Sequence, residues 1–265
     1  MSEIKIKTVN NTKFIPSVIL FLLFITNIYA QTSAGANAQF ETLKIVDMPS
    51  AGILKKYHYD LYFQFINNGG IVTQFVASPF QDFNIGASWG CSNFIGQGPI
   101  SGQKYPGVYL KYRIFDERIS NPAVVIGFQS QGTGNYDKRA DRYQTLSPGL
   151  FLALSKYFKW ALGDITFHGG INYSFENIPE KRQPNGFIGI EQSIGNRGAI
   201  DLEYNLNIDD KDNNFISKSG LINLNFRYYL DFGLSVELQL RDLLSHLKSQ
   251  EQLTRFFCID FIGKF

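Results

Sequence analysis

Few side chains in this 265-residue chain are suited to redox, nucleophilic or metal chemistry: it holds three His, two Cys and two Met. Two cysteines cannot build a disulfide framework. Cys91 and Cys258 fall on strands predicted to lie far apart in order, so they read as separate apolar fillers rather than a bridge. Charged residues make up only 18%, and the formal charge of +2 gives no basic footprint for nucleic acid. Beyond the amino-terminus no apolar run approaches about 18 residues, which excludes a bundle of membrane helices, and the mean hydropathy of -0.11 agrees. Asp210-Lys-Asp-Asn-Asn214 imitates the start of a calcium loop, but Phe215 stands where Gly is required and Leu221 where Glu is required. No residue set calls for a metal or a cofactor.

What is abundant is aromatic: 15% of the chain, with 24 Phe and 14 Tyr. Lys5, Lys7 and Lys13 precede an apolar run from Phe14 to Ile28, with small-residue cleavage sites ending at Ala30 and Ala38. A basic start, an apolar core and a small-residue cut predict a signal peptide over 1–30, with an uncleaved anchor as the rival. Residues 31–56 read as a periplasmic amino-terminal linker: 31–39 are small and polar, and Asp47-Met-Pro-Ser-Ala-Gly52 is turn-rich.

From Tyr57 onward, segments of about ten residues alternate with period two, the pattern of a membrane barrel. Leu234, Val236, Leu238 and Leu240 oppose Ser235, Glu237, Gln239 and Arg241; Ile222, Leu224, Phe226 and Tyr228 oppose Asn223, Asn225 and Arg227. A soluble sandwich also alternates, but here the polar parity is strongly charged and connections alternate between short and long. The expected strands are 57–66, 70–79, 82–91, 106–115, 121–131, 148–158, 164–176, 186–194, 198–207, 220–229, 232–242 and 255–265. The fold class predicted is all-β: a transmembrane antiparallel up-and-down barrel of about twelve strands over 57–265. Short turns belong to the periplasm and long loops to the exterior. Asn67-Asn-Gly-Gly70 is a strong hairpin signal. Ser245–Gln252 lacks alternation and is expected as a short helix in the last exterior loop.

The last ten residues, Phe256-Phe-Cys-Ile-Asp-Phe-Ile-Gly-Lys-Phe265, put Phe257, Ile259, Phe261, Gly263 and Phe265 on one face. A terminal strand closed by Phe resembles the assembly signal of bacterial outer-membrane barrels, which implies two partners, outer-membrane lipid and the barrel-assembly machinery. Met48-Pro-Ser-Ala-Gly-Ile-Leu54, Pro106–Glu117, Pro122–Phe128 and Gly132-Thr-Gly134 together resemble the YjbH-like outer-membrane proteins associated with exopolysaccharide or capsule systems. The resemblance covers about residues 45–160. It implies localisation in the cell outer membrane, a non-enzymatic role in exopolysaccharide export or surface assembly, and polysaccharide export components as partners.

On the inward parity, Lys111, Arg113, His168, Glu191, Glu203, Arg227, Glu237 and Arg241 are the candidate lumen-lining residues, with Asp60, Asp201 and Asp260 beside them. They read either as a polar channel or anion- or sugar-binding site, or as a water-poor interior of paired charges. A small-solute channel is the alternative function. An outer-membrane lipid-modifying enzyme is a distant third, because the histidines at 58, 168 and 246 show no triad spacing. Trp89, Trp160 and the Tyr residues near strand ends are expected as interfacial anchors.

Overall fold

The computed structural model describes residues 41–96, 98–177, 182–210, 215–248 and 254–265. Among them lie fifteen strands: β1 (His58–Ile66), β2 (Gly70–Phe80), β3 (Phe83–Ser92), β4 (Ser101–Gly102), β5 (Gly107–Phe115), β6 (Ala123–Gln129), β7 (Thr133–Asp137), β8 (Arg142–Thr145), β9 (Gly149–Trp160), β10 (Gly163–Tyr173), β11 (Asn185–Ile194), β12 (Gly198–Asn205), β13 (Leu221–Tyr229), β14 (Leu234–Arg241) and β15 (Thr254–Lys264). Twelve of them, all but β4, β7 and β8, form a closed antiparallel ring in which β15 returns to β1. The closing register sets Tyr62 opposite Asp260 and Phe65 opposite Phe257. Closure leaves no barrel strand with an unpaired edge. β4 pairs antiparallel with the last residues of β3, and β7 pairs with β8 as a separate hairpin.

The predicted strands are present, with ends moved by a few residues. The strand expected at 121–131 narrows to Ala123–Gln129, leaving out Pro122, which has no N–H for a ladder. The strand expected at 164–176 stops at Tyr173, where the register with β9 slips. The loop expected between Gly132 and Ser147 carries the β7–β8 hairpin. The helix expected at 245–252 is absent from its described part, 245–248, where Leu247 instead bridges to Ile216. Residues 249–252 lie outside the described residues, as do 1–30 and the part of the linker before 41. The β1–β2 turn places Asn68 at φ 59° and Gly69 at φ 61°, as a type I′ hairpin demands.

The two faces are inverted relative to a water-soluble protein. Phe75, Ile85, Phe167, Ile171, Ile188, Phe226 and Phe257 are exposed on the outer parity, and Leu238 is 46% exposed. The inner parity buries Asn84, Lys111, Arg113, Asp201, Glu203, Asn225, Glu237 and Gln239, each 5% exposed or less. An apolar outside around a charged inside is stable only where the outer solvent is itself apolar.

The interior is filled by residues expected to form the end of a linker. Residues 41–54 enter the lumen, so the reading of 31–56 as a linker beside the barrel does not describe this stretch. It turns back on itself, with Ile45 N–H donating to Met48 O at 2.8 Å and a bridge between Lys44 and Pro49. Ile45, Val46, Met48 and Ala51 pack on Ala123, Val125, Phe151, Ala153 and Phe187 of the wall. Burying each of the larger three is worth about 1.5–3 kcal/mol. Gly189 makes room for the plug: a Cβ there would lie 2.8 Å from Ile45 Cδ1.

Candidate functional site: an occupied lumen

Successive strand residues alternate between lipid and lumen, so each wall strand offers one row of side chains to the interior. The plug offers these rows mainly its backbone. Its turn presents three consecutive N–H groups, of Val46, Asp47 and Met48, which donate to Glu203 Oε2 at 2.8–2.9 Å. Glu203 Oε1 accepts from Asn223 at 2.9 Å, and Asn223 also donates to Asp47. Arg241 pairs with Asp47 from β14. On the opposite wall, Lys111 Nζ donates to the carbonyls of Leu43 (2.7 Å) and Gly52 (2.9 Å). Arg113 donates to Ala51 O and to the Glu41 carboxylate at 2.8 and 2.7 Å. Ala51 N–H donates to Ser155 Oγ, and Leu54 N–H to Asn84.

The eight predicted lumen residues thus fall into separate groups. Glu203 and Arg241 hold the plug's turn. Lys111 and Arg113 hold its carbonyls. Glu191, Arg227 and Glu237 converge with Asp201 in one network: Arg227 lies 2.7 Å from Glu237, 3.2 Å from Asp201 and 3.5 Å from Glu191. Thr42 of the plug joins it, donating to Glu191 at 2.6 Å and accepting from Arg227 at 2.8 Å. His168 stands apart from all three.

His168 Nδ1 lies 2.7 Å from Ser155 Oγ, a buried Ser–His pair that linear spacing does not reveal, because the two residues face each other across β9 and β10. The pair lacks the third member of a triad: His168 Nε2 is buried without a hydrogen-bond partner. Ser155 Oγ already receives the Ala51 N–H, and it faces the plug rather than lipid.

Sequence reasoning also missed Glu41, Thr42, Lys44, Asp47, Asn84, Ser155 and Asn223. The available signal was indirect. A closed ring with buried charges on many of its inner rows needs partners for them, and apolar Ile45-Val46 beside a turn would be costly in water.

Described residues at the outer mouth are tied to the plug and to one another as well. Thr133 at the start of the β7–β8 hairpin donates to Asp47 at 2.9 Å, and Tyr143 OH donates to Gln103 at 2.7 Å. Arg142 forms a two-pronged pair with Asp210 and stacks 4.2 Å from the Phe215 ring centre. Asp210 is therefore engaged; the rest of the imitated calcium loop, 211–214, lies outside the described residues. Among the described residues no group of three or more His, Cys, Asp or Glu could hold a metal ion. Glu176 accepts the N–H groups of Tyr143 and Ser147, and burial pushes its carboxyl up. Burial, then the charge of Asp210, push the Asp209 carboxyl up to about 7.

Among the described residues, small cavities border the plug. Cavities of about 30 and 20 Å³ border Lys44, Tyr62, Gln74 and Gln129, and one of about 10 Å³ lies under Tyr143. These hold a water or two. Cys91 and Cys258 are both free thiols, Cys258 fully buried on the inner face.

No protein-family model and no curated protein matches the chain. Among solved structures, the chain is similar to the NanC porin (8% identity, TM-score 0.40, covering 78% of this chain and 99% of that one). It is also similar to a mutant of Rh. blastica porin (9%, 0.29, 78% and 98%) and to Salmonella typhi OmpF in complex with daunomycin (9%, 0.30, 78% and 96%). The barrel itself is established by the ring of strand pairings.

Proposed function

We propose that this chain is a non-enzymatic outer-membrane barrel of channel type, closed in its resting state by its own residues 41–54. The inverted faces support a place in lipid, since a closed barrel with an apolar exterior belongs there, and the outer membrane is the membrane we assign to it. The observation that carries the channel reading is how the plug is held. Replacing buried ion pairs with well-packed apolar residues is often neutral or stabilising, so a permanent filler gains little from a charged wall. A plug gripped by Glu203, Lys111, Arg113 and Arg241 leaves behind a wall that water and solutes can wet. Direct contacts from the plug are non-covalent, and most run to its backbone.

The lipid-modifying reading loses ground, because Ser155 is tied to the plug and His168 lacks an orienting carboxylate. The link to exopolysaccharide export rests on the resemblance over 45–160, and the lumen adds nothing specific to it.

A reversible lock tests the proposal. Ala51 and Ser155 touch, so the full chain carrying Ala51→Cys and Ser155→Cys can be oxidised to tether plug to wall. In planar bilayers the reduced protein should show transient openings and the oxidised protein none. Equal conductance in both states would mean that the plug is not the gate. Silence in both, at every voltage, would end the channel reading.

A further inference from the structure

One plug side chain is handled differently from the rest. Lys44 Nζ sits 3.5 Å from the centre of the Tyr62 ring, on the inner face of β1. It borders the cavity of about 30 Å³ that is also lined by Asp60, Tyr109, Glu237 and Asp260. The carboxylates of Asp60, Glu237 and Asp260 all act electrostatically on the Lys44 charge. Glu237 is shared with Arg227. Asp60 and Asp260 have no basic partner in an ion pair among the described residues, and each leaves a buried oxygen, Oδ1, without a hydrogen-bond partner. Asp60 is 5% exposed, and the Tyr109 hydroxyl in the same cavity is also unpartnered.

The two carboxyls also hydrogen-bond each other, so they hold a proton between them and one negative charge remains. An aromatic face beside such an acid pair is a cation-recognition arrangement. A buried negative charge is costly without a cation near it, and here Arg227 and Lys44 are the cations that act on Asp260. Arg227, the other cation at the cavity, is already shared among Asp201, Glu191 and Glu237. We propose that the wall at Tyr62, Asp60 and Asp260 is a binding site for solutes bearing a primary ammonium group, and that Lys44 occupies it in the closed state as a tethered stand-in. This deepens the channel reading by naming the solute class. When residues 41–54 withdraw, the Lys44 ammonium leaves with them, and the ammonium group of a solute can take its place. A ring face favours an organic ammonium over a strongly hydrated metal ion, because the less hydrated cation gives up less water to reach it.

Chemical rescue tests the site without any conductance. The full chain with Lys44→Ala, refolded in detergent, should melt below the wild type. Ethylammonium chloride at ten times its dissociation constant should raise the melting temperature of Lys44→Ala by about 3–6 °C over potassium chloride of equal ionic strength. Adding Asp60→Asn and Asp260→Asn should abolish that rise. Equal effects of the two salts, or rescue that survives loss of both carboxylates, would overturn the site. Should Lys44→Ala fail to fold, the wild-type chain serves: ethylammonium, but not potassium, should speed hydrogen exchange at Val46, Asp47 and Met48 by displacing Lys44. No difference between the salts there would overturn it equally. A silent bilayer would end the channel reading while leaving a positive rescue standing, and a failed rescue would leave the gated channel intact.

Discussion

Glu203→Ala is the sharpest perturbation of the closed state, because one oxygen of that carboxylate receives three consecutive plug amides at 2.8–2.9 Å. Hydrogen bonds to a charged group contribute about 1.5–3 kcal/mol each. Their sum is an upper bound, since amides released from the site are rehydrated once the plug leaves. Losing Glu203 also frees Asn223, which still reaches Asp47 at 3.1 Å and keeps part of the turn anchored. A net loss of about 3–5 kcal/mol from the plugged state is the reasonable middle. At about 1.4 kcal/mol per factor of ten, the withdrawn population rises by roughly two to three and a half orders of magnitude. The apolar contacts of Ile45, Val46 and Met48 survive, so the variant should open often without losing its plug altogether. Hydrogen exchange over 41–54 reads this directly, because amides protected only by the plugged state exchange in proportion to its opening. Exchange in β13 and β14 should stay slow, and the heat-modifiable gel shift of the folded barrel should persist. Glu203→Gln keeps an acceptor but loses the charge, and should fall between. Plug amides protected to within threefold of wild type, in an intact Glu203→Ala barrel, would refute the assignment of Glu203 as the anchor.

Three other outcomes follow from the same geometry. Leu238→Arg puts a charge on the lipid face near mid-strand and should cost about 2–4 kcal/mol, seen as loss of the heat-modifiable band; a fully folded population would contradict the outward parity. Deleting Phe265 removes a ring 5.0 Å from Tyr59 and a backbone bond to Tyr57 O. Its burial is worth only about 1.5–3 kcal/mol, so equilibrium unfolding in detergent should change little while pulse-chase insertion in cells slows strongly; unimpaired insertion would mean the terminal residue plays no part in assembly. At the outer mouth, a folded-state Asp209 carboxyl at about 7, against an ordinary 3.8, binds a proton more tightly than the unfolded chain does. Its stabilisation is complete below about pH 4 and is lost as pH rises through about 7. Between pH 5 and pH 8 the melting temperature of Asp209→Asn should therefore gain on that of the wild type, and parallel curves would show that Asp209 does not titrate in that window.

The sequence by itself determined the number of barrel strands and the two faces. Alternation at period two is local, so Leu238 and Gln239 announce opposite solvents from their order in the chain alone. The even number of strands, the short and long connections, and Asn68-Gly69 in a tight turn then leave few topologies besides a closed meander. The inward placement of Lys111, Glu203 and Arg227 follows from that parity. What those charges do was decided only by tertiary structure. The plug has no periodicity to read, and its contacts span 155 or more residues where Val46, Asp47 and Met48 meet Glu203. Ser155 finds His168 only through the β9–β10 register, and Lys44 finds Tyr62 only because the plug turns back at Pro49. Local pattern fixes which side of a strand a charge faces; the partner that satisfies it is set by closure of the ring around a distant segment of the same chain.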